Sequence, residues 1–247
     1  MKTLLQPAYV LHGRPYRDSS VLLDLFTAEQ GRVALVGRGL ARKRRGGSLG
    51  ALLQPFQPLL VSYQGRGELL NLTDAESAGA LKRLNGDALM SAFYLNELLL
   101  RLTQRGDPQP TLFSRYGETL TELVDSSVSK LADTLRRFEF FAMDALGYGI
   151  DLHHDAASGA EICVGELYLF TPEYGLSRAN SRTSGDELCF WGEEILAIAE
   201  KDYGRARASA KRLARLLLQP HLGDKPLRSR GMFKEMRKLQ HDRESGA

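Results

Sequence analysis

The chain has 247 residues, 43 % of them hydrophobic, and a formal net charge of +3. Such a chain can bury a substantial core and can hold one large domain or two to three small ones. No apolar run approaches the ~20 residues that a membrane span requires. Pro7 also breaks the N-terminal segment before a signal-peptide core could form. We therefore expect a globular cytoplasmic protein whose two cysteines, Cys163 and Cys189, are reduced thiols.

The modest net charge conceals a strong segregation of charge along the chain. Residues 1–50 contain 9 Lys/Arg against 3 Asp/Glu, and residues 201–247 contain 13 against 5. Residues 51–200 between them contain 11 cations and 22 anions. Cationic ends create a local field for a polyanion, while the acidic middle limits nonspecific binding. This pattern is typical of a nucleic-acid-binding protein.

Residues 37–47, here called the basic loop, contain five cations within eight positions and no acid. Like charges held this close repel one another, so clustering them does not favour folding. A phosphate backbone would neutralise them and release counterions. The alternative is a solvated loop without a ligand, which is common for charge runs.

The first 80 residues have the pattern of short β-strands separated by turns. Residues 29–31 make a tight link between the second and third strands, and residues 64–67 link the fourth and fifth. Five short antiparallel strands in about 75 residues are typical of an OB-type barrel, which commonly binds single-stranded nucleic acid. The basic loop would then belong to the third-to-fourth connection. The predicted strands are Ala8–His12, Val21–Thr27, Arg32–Val36, Leu59–Tyr63 and Leu69–Thr73.

From about residue 81 the hydrophobic period becomes helical. The helix Arg205–Leu218 has an apolar side and a cationic side, the latter formed by Arg207, Lys211 and Arg215. We predict an α+β protein with an OB-type barrel over residues 1–80 and a mainly helical domain over residues 81–247. The helical domain would contain an irregular insertion at residues 151–187 and basic helices at residues 205–240. The predicted helices are Asp87–Arg105, Pro110–Asp125, Val128–Leu146, Gly192–Lys201, Arg205–Leu218 and Ser229–Leu239.

Motifs for other chemistry are weak. Glycines 37 and 39 resemble the opening of a dinucleotide fingerprint, but Arg42 replaces the third glycine, and no Walker A, Gly-x-Ser-x-Gly or His-Glu-x-x-His motif occurs. Two carboxylates and two histidines in Asp151–Asp155 could ligate a metal for phosphodiester hydrolysis, although no second ligand cluster accompanies them. Two alternatives to a DNA-binding protein without enzymatic activity remain: a metal-dependent nuclease that uses this cluster, and a general RNA-binding protein that uses the OB-type barrel.

Several motifs occur in order along nearly the whole chain: Ala8–Leu11, Arg14–Tyr16, Gly37–Gly39, Gly50–Phe56, Gly65–Glu68, Tyr94–Leu98, Leu135–Glu139, Leu146–Gly149 and Gly223–Arg230. As a set, they resemble the motifs of the bacterial DNA-repair RecO family. The resemblance implies an N-terminal OB domain, a helical domain and an irregular insertion. It also implies a recombination mediator, not an enzyme, that binds single- and double-stranded DNA and anneals complementary strands. Its partners would be the single-strand-binding protein SSB, RecR and RecA.

The sequence departs from this family at one point. Some members carry a four-cysteine zinc module in the insertion, whereas here the insertion offers only Cys163 with His153 and His154. We therefore expect no zinc and no other cofactor. Packing of Tyr168, Phe170 and Tyr174 would hold the insertion instead.

Two sets of candidate binding residues follow. Cations of the barrel and of the C-terminal segments would bind DNA phosphates, and Tyr9, Tyr16 and Tyr63 are candidates for base stacking, although barrel tyrosines are more often core residues. Arg136 and Arg137, on the apolar helix Val128–Leu146, would bind the carboxylate of the acidic SSB tail, unless they simply pair with Glu139 or other acids. The predicted DNA-binding residues are Arg14, Arg17, Arg38, Arg42, Lys43, Arg44, Arg45, Arg66, Arg207, Lys211, Arg215, Lys225, Arg228 and Arg230.

Overall fold

A computed structural model describes residues 2–17, 20–40, 43–44, 47–179, 188–229, 231–233 and 235. The N-terminal part is built mainly of strands, as the alternating hydrophobic pattern predicts, with one short helix, α1 (Leu49–Leu52). Its strands are β1 (Lys2–Tyr16), β2 (Ser20–Thr27), β3 (Gly31–Arg38), β4 (Lys43–Arg44), β5 (Gly47–Ser48), β6 (Leu59–Gln64) and β7 (Leu69–Ser77).

Five of these strands close into a barrel in the order β1-β2-β3-β7-β6. Alternate residues such as Leu23, Leu25, Val33 and Leu35 point inward and form its core. β3 and β7 pair in parallel and the other neighbours are antiparallel. The five-stranded OB-type barrel is confirmed, but the expectation that all its strands are antiparallel is wrong for the β3–β7 pair.

β1 is longer than predicted because its two halves pair with different strands. Residues from Lys2 to Ala8 pair with β6, and residues from Ala8 to Tyr16 pair with β2. Irregularities in the register, between Thr3 and Gln6 and between Val10 and His12, let the strand bend between its two partners.

Helices α2 (Gly86–Leu102) and α3 (Pro110–Asp125) pack on the outside of the barrel. Tyr9 and Phe26 project outward and meet Phe113, with ring centroids 5.4 and 5.6 Å away. Tyr116 donates a 2.5 Å hydrogen bond to Asn96 Oδ1, and Asn96 Nδ2 donates one of 2.9 Å to the Leu11 carbonyl in β1. A buried polar group stabilises a fold only when it is hydrogen-bonded, so this network fixes how the helices lie on the barrel.

Further helices are α4 (Val128–Ala145), α5 (Gly192–Ala199) and α6 (Arg207–Leu218), and a 3₁₀ turn at Gln219–His221 follows α6. Their bounds, like those of α2 and α3, lie within about three residues of the predicted ones. α4 ends because Gly147 adopts a positive φ of 80° and the Tyr148 N–H donates back to the Met143 carbonyl. Most of the predicted helix Ser229–Leu239 lies outside the described residues.

The predicted irregular insertion contains regular structure that the sequence analysis missed. Strands β8 (Leu167–Thr171) and β9 (Gly175–Arg178) form a hairpin, and β10 (Cys189–Trp191) adds to the other edge of β8. Tyr168 and Phe170 are buried in agreement with the prediction, whereas Tyr174 is 79 % exposed and does not hold the insertion together.

Two compact units result: residues 1–131 with 224–247, and residues 132–223. The predicted domain boundary after residue 80 therefore falls inside the first unit, because α2 and α3 pack on the barrel. In the part of the chain that the structure describes, no helix is both long and apolar enough to cross a lipid bilayer.

Candidate nucleic-acid interface

Three of the predicted arginines lie at one end of the barrel. The register places Tyr16 opposite Ser20 and Ser20 opposite Arg38, so the β1–β2 connection and the end of β3 are neighbours. Arg14, Arg17 and Arg38 are all exposed there. The structure thus brings together cations that are up to 24 positions apart in the sequence.

The basic loop begins at this same end. Leu40 on one side of it, and Leu49 and Leu53 on the other, are buried in the barrel core. The Gly50 N–H also donates a 3.0 Å hydrogen bond to the Leu40 carbonyl. The segment between Leu40 and Leu49 is therefore tied to the barrel at both of its ends.

Only part of the basic loop can be compared with the prediction. The predicted residues Arg42 and Arg45 lie outside the described residues, as do the side chains of Lys43 and Arg44. The backbones of Lys43 and Arg44 form β4, which pairs with β5.

Arg66 lies at the other end of the barrel. β7 pairs in parallel with β3, with Leu69 opposite Ala34, so the turn before β7 lies near the start of β3. Arg38 is at the end of β3. Arg66 therefore lies apart from Arg14, Arg17 and Arg38, and its predicted contact with DNA stays a prediction.

The outward face of β2 and β3 is covered. Leu22, Phe26, Ala34 and Val36 point away from the barrel core by alternation, yet each is at most 8 % exposed. This face is the surface on which OB folds commonly bind oligonucleotides. Here it is not open to a ligand, so the exposed cations at the barrel ends are the better candidates for contact with nucleic acid.

Two of the three candidate stacking tyrosines are buried as well. Tyr63 is 1 % exposed inside the barrel, and Tyr9 packs against the aromatic side chains of α3. Burial raises the pKa of both phenols above the ordinary value. Of the three predicted tyrosines, only Tyr16 lies at the cationic end, half-buried beside the Arg17 guanidinium.

The C-terminal cations Lys225 and Arg228 belong to the same compact unit as the barrel. Arg101 in α2 donates hydrogen bonds to the Lys225 and Pro226 carbonyls, at 2.5 and 3.1 Å. Glu97, one turn earlier, accepts 2.9 Å hydrogen bonds from the backbone N–H groups of Arg228 and Ser229. Both cationic side chains remain exposed. Arg230, the next predicted residue, lies outside the described residues.

Replacing Glu97 by Gln is expected to loosen this segment and to destabilise the protein by about 1–3 kcal/mol, since charge-assisted hydrogen bonds become neutral ones. Burial alone would raise the pKa of Glu97, but hydrogen bonds from Ser229, Arg228 and Arg101 outweigh it and lower the pKa. The carboxylate therefore stabilises the fold fully above its unfolded pKa, and this contribution is lost as the pH falls through the lower folded pKa. Urea unfolding at several pH values measures the difference, which should shrink in acid; a difference independent of pH would contradict this role.

The predicted cations of α6 lie on the other compact unit. Arg207, Lys211 and Arg215 are exposed, whereas Ala210 and Leu213 are buried, which confirms the two-sided helix. Sequence reasoning missed the structural role of Arg212. Its guanidinium lies 4.2 Å from the Phe190 ring centroid and donates a 2.6 Å hydrogen bond to the Cys189 carbonyl, so it fastens α6 to β10.

The two arginines predicted to bind the SSB tail have partners within α4. Arg136 donates a 2.6 Å hydrogen bond to Glu139, whose side chain has no exposed surface, and the Arg136 side chain is only 15 % exposed. Arg137 is half-buried and donates a 3.2 Å hydrogen bond to the Thr134 hydroxyl. Arg136 thus has a structural role that the sequence analysis weighed as the alternative to peptide binding.

The carboxylates of Asp151–Asp155 are used by local hydrogen bonds. Asp151 accepts from His154 Nδ1 at 2.8 Å and from the His153 N–H at 2.7 Å. Asp155 is 5 % exposed and accepts 2.8 Å bonds from the Ala157 and Ser158 N–H groups. Within the described ranges, no three His, Cys, Asp or Glu side chains are grouped so that they could hold a metal ion. The nuclease alternative therefore has no support from this cluster.

Comparison with known proteins decides the relationship. Residues 1–81 match the family model described as "Recombination protein O N terminal", and residues 83–189 match "Recombination protein O C terminal". The chain belongs to the RecO family. The DNA repair protein RecO of Nitrosococcus oceani is 45 % identical over 241 residues, covering 97 % of this chain and 96 % of the relative. The RecO proteins of Cellvibrio japonicus and Haemophilus influenzae are 44 % and 41 % identical, over 94 % of this chain and 98 % and 97 % of the relatives.

The first family model covers the whole barrel and ends four residues after β7. The second begins before α2 and ends at Cys189, so it includes the β8–β9 hairpin. These matches agree with the OB-type barrel followed by helices. This RecO chain is accordingly a DNA repair protein of that family.

Proposed function

We propose that this RecO protein is a recombination mediator that binds single- and double-stranded DNA and anneals complementary strands. The observation that carries the proposal is the convergence of exposed Arg14, Arg17 and Arg38 at the barrel end where the basic loop begins. A cluster of like charges at this end does not stabilise the fold, because the charges repel one another. Binding of a DNA backbone would account for the cluster, because each phosphate that a cation neutralises releases condensed counterions.

The proposed mechanism is electrostatic and involves no bond chemistry. Two DNA strands repel each other through their phosphates, and cations placed between them lower that repulsion. Arginines offer paired N–H donors that match phosphate oxygens. Lys225 and Arg228, held on the barrel unit by Glu97 and Arg101, would add phosphate contacts within the same body. The cations of α6, on the second unit, would add further contacts: Arg207, Lys211 and Arg215.

The proposal includes three protein partners. The chain would contact the acidic C-terminal tail of SSB, act together with RecR, and so help to load RecA on SSB-coated single-stranded DNA. For the tail we propose α4, where Arg136 and Arg137 lie beside the apolar side of the helix. The protein would act in the cytoplasm, on nucleoid DNA, as a mediator and not as an enzyme.

The decisive test is strand annealing with purified protein. Labelled complementary oligonucleotides, free and coated with SSB, are expected to anneal without ATP and in the presence of EDTA. The strands should remain intact in Mg²⁺ or Mn²⁺, because the proposed mechanism uses no metal ion. Dependence on ATP, or cleavage of the DNA, would contradict the proposal.

A comparison of DNA with RNA of equal length addresses the second alternative. A mediator of DNA recombination should bind and anneal the DNA strands at least as well as the RNA strands. Clear preference for RNA would instead favour a general RNA-binding OB protein.

A further inference from the structure

A groove of about 540 Å³ opens at the barrel end that is opposite the basic loop. It lies between the turn before β7, the start of β3 and the segment that follows α2. Its charged lining residues are Arg32, Arg66, Arg105 and Glu68. The lining thus contributes three guanidinium groups and one carboxylate, and Asp24, which pairs with Arg105, adds a second carboxylate beside it, so the local charge stays positive.

Arg105 is held in place from two sides. Its backbone bridges to Gly31 and Arg32, and the Gly106 N–H donates a 3.0 Å hydrogen bond to the Arg32 carbonyl. Its guanidinium lies 3.2 Å from Asp24, while 45 % of the side chain stays exposed. The group is therefore positioned in advance and still accessible to an anion.

Arg32 is a half-buried cation with few partners. Its Nη1 donates to the Leu100 carbonyl at 2.5 Å, and among the described residues its Nε finds no hydrogen-bond acceptor. Burial lowers the pKa of Arg32; Asp24 opposes this change and the like charge of Arg105 adds to it. Two guanidinium groups thus share one carboxylate, and an anion entering the groove would be stabilised by the excess charge.

The turn before β7 leaves room for a ligand beside its backbone. Arg66 is exposed between two glycines, and Gly67 has a φ of 80°. No atom lies within 4 Å of the place where a Cβ of Gly67 would be. Glycines of this kind allow a ligand to approach the main chain closely.

We propose that this groove is a second nucleic-acid site, which binds phosphates of one strand while the basic-loop end binds the other. The inference rests on the proposed annealing function. The existence of two separate sites follows from the barrel geometry, because the buried outward face of β2 and β3 lies between the two cationic ends of the barrel. A strand bound at one end therefore leaves the other end free for a second strand.

A fluorescent 8-nucleotide oligothymidylate tests the site directly. Wild-type protein is expected to bind it at two classes of site. Arg66→Glu should weaken one class about tenfold or more, which corresponds to roughly 1.4 kcal/mol, and should slow annealing by a similar factor. Glu68→Gln should strengthen the same class. Arg83→Glu makes the same charge change at another exposed arginine of this unit and should bind as wild type does.

The outcomes separate the two proposals. Two unchanged classes of site and unchanged annealing in both Arg66→Glu and Arg66→Gln would overturn the groove as a strand site and leave the annealing function intact. Loss of binding to an acidic peptide in these variants, with oligothymidylate binding unchanged, would also overturn it. Failure of the wild-type protein to anneal any strands would instead overturn the proposed function.

Discussion

Alanine at all four cations of residues 42–45 is expected to lower the affinity for single-stranded DNA strongly and to flatten its dependence on salt. Each phosphate contact on a single strand contributes ~0.7 to the slope of log affinity against log salt. Four lost contacts would therefore reduce the slope by up to about 2.8. Fluorescence anisotropy of a labelled oligonucleotide at several salt concentrations measures both quantities.

The fold should be almost unaffected by this change. The residues that anchor the loop to the barrel, Leu40 and Leu49, are retained, and removing like charges relieves repulsion. A double variant, Lys82→Ala with Arg83→Ala, removes cations outside the proposed interface and should keep the wild-type slope. If the basic-loop variant binds DNA with unaltered slope and affinity, the loop is merely solvated.

The barrel could be predicted from sequence because its signals are local. Alternation over β2 and β3, with a tight link predicted at residues 29–31, specifies a hairpin without information from the rest of the chain. Helices α2 to α6 could be predicted for the same reason, since each has a helical hydrophobic period, and a proline or glycine marks some of their ends, such as Pro110 at the start of α3 and Gly147 after α4. The parallel pairing of β3 with β7 could not be predicted, because no local sequence pattern indicates which distant strand pairs with β3.

The candidate site depends on this missing information. From the sequence, Arg17, Arg38 and Arg66 are indistinguishable, because each is an arginine near the end of a predicted strand. Only the strand register shows that Arg17 and Arg38 are neighbours and that Arg66 lies elsewhere. The β8–β9 hairpin was missed because strands of five and four residues lie in a stretch rich in glycine and serine. There the periodic signal is too short to detect.

The Arg136–Glu139 pair shows a further limit of sequence reasoning. Spacing of three residues on a helix predicts that the two side chains can meet, but exposed pairs of this kind contribute little to stability. Here the Glu139 side chain has no exposed surface. Burial makes the loss of Arg136 costly, because its positive charge then no longer offsets the desolvation of the Glu139 carboxylate.

Arg136→Ala is therefore expected to destabilise the protein by about 3–5 kcal/mol. Urea denaturation, followed through the helical signal, gives the change in the unfolding midpoint. Removing both charges together, as in Arg136→Met with Glu139→Leu, should recover most of the stability, since the desolvated carboxylate is then absent. Wild-type stability of the single variant would show that Glu139 is held by other groups.

This result determines how the SSB tail must be tested. Weaker peptide binding by Arg136→Ala could reflect a disturbed α4. The hydrogen bond from Arg137 to Thr134 joins a cation to a neutral hydroxyl and not to a buried carboxylate, so losing this bond should disturb the helix less. Arg137→Ala should weaken binding of a fluorescent tail peptide by ~1.5–3 kcal/mol, the range for a hydrogen bond to a charged group. Thr134→Val removes the hydroxyl and keeps Arg137, so it should bind the peptide as wild type does. Wild-type affinity in Arg137→Ala, and in the doubly substituted Arg136→Met with Glu139→Leu protein, would place the tail on another surface.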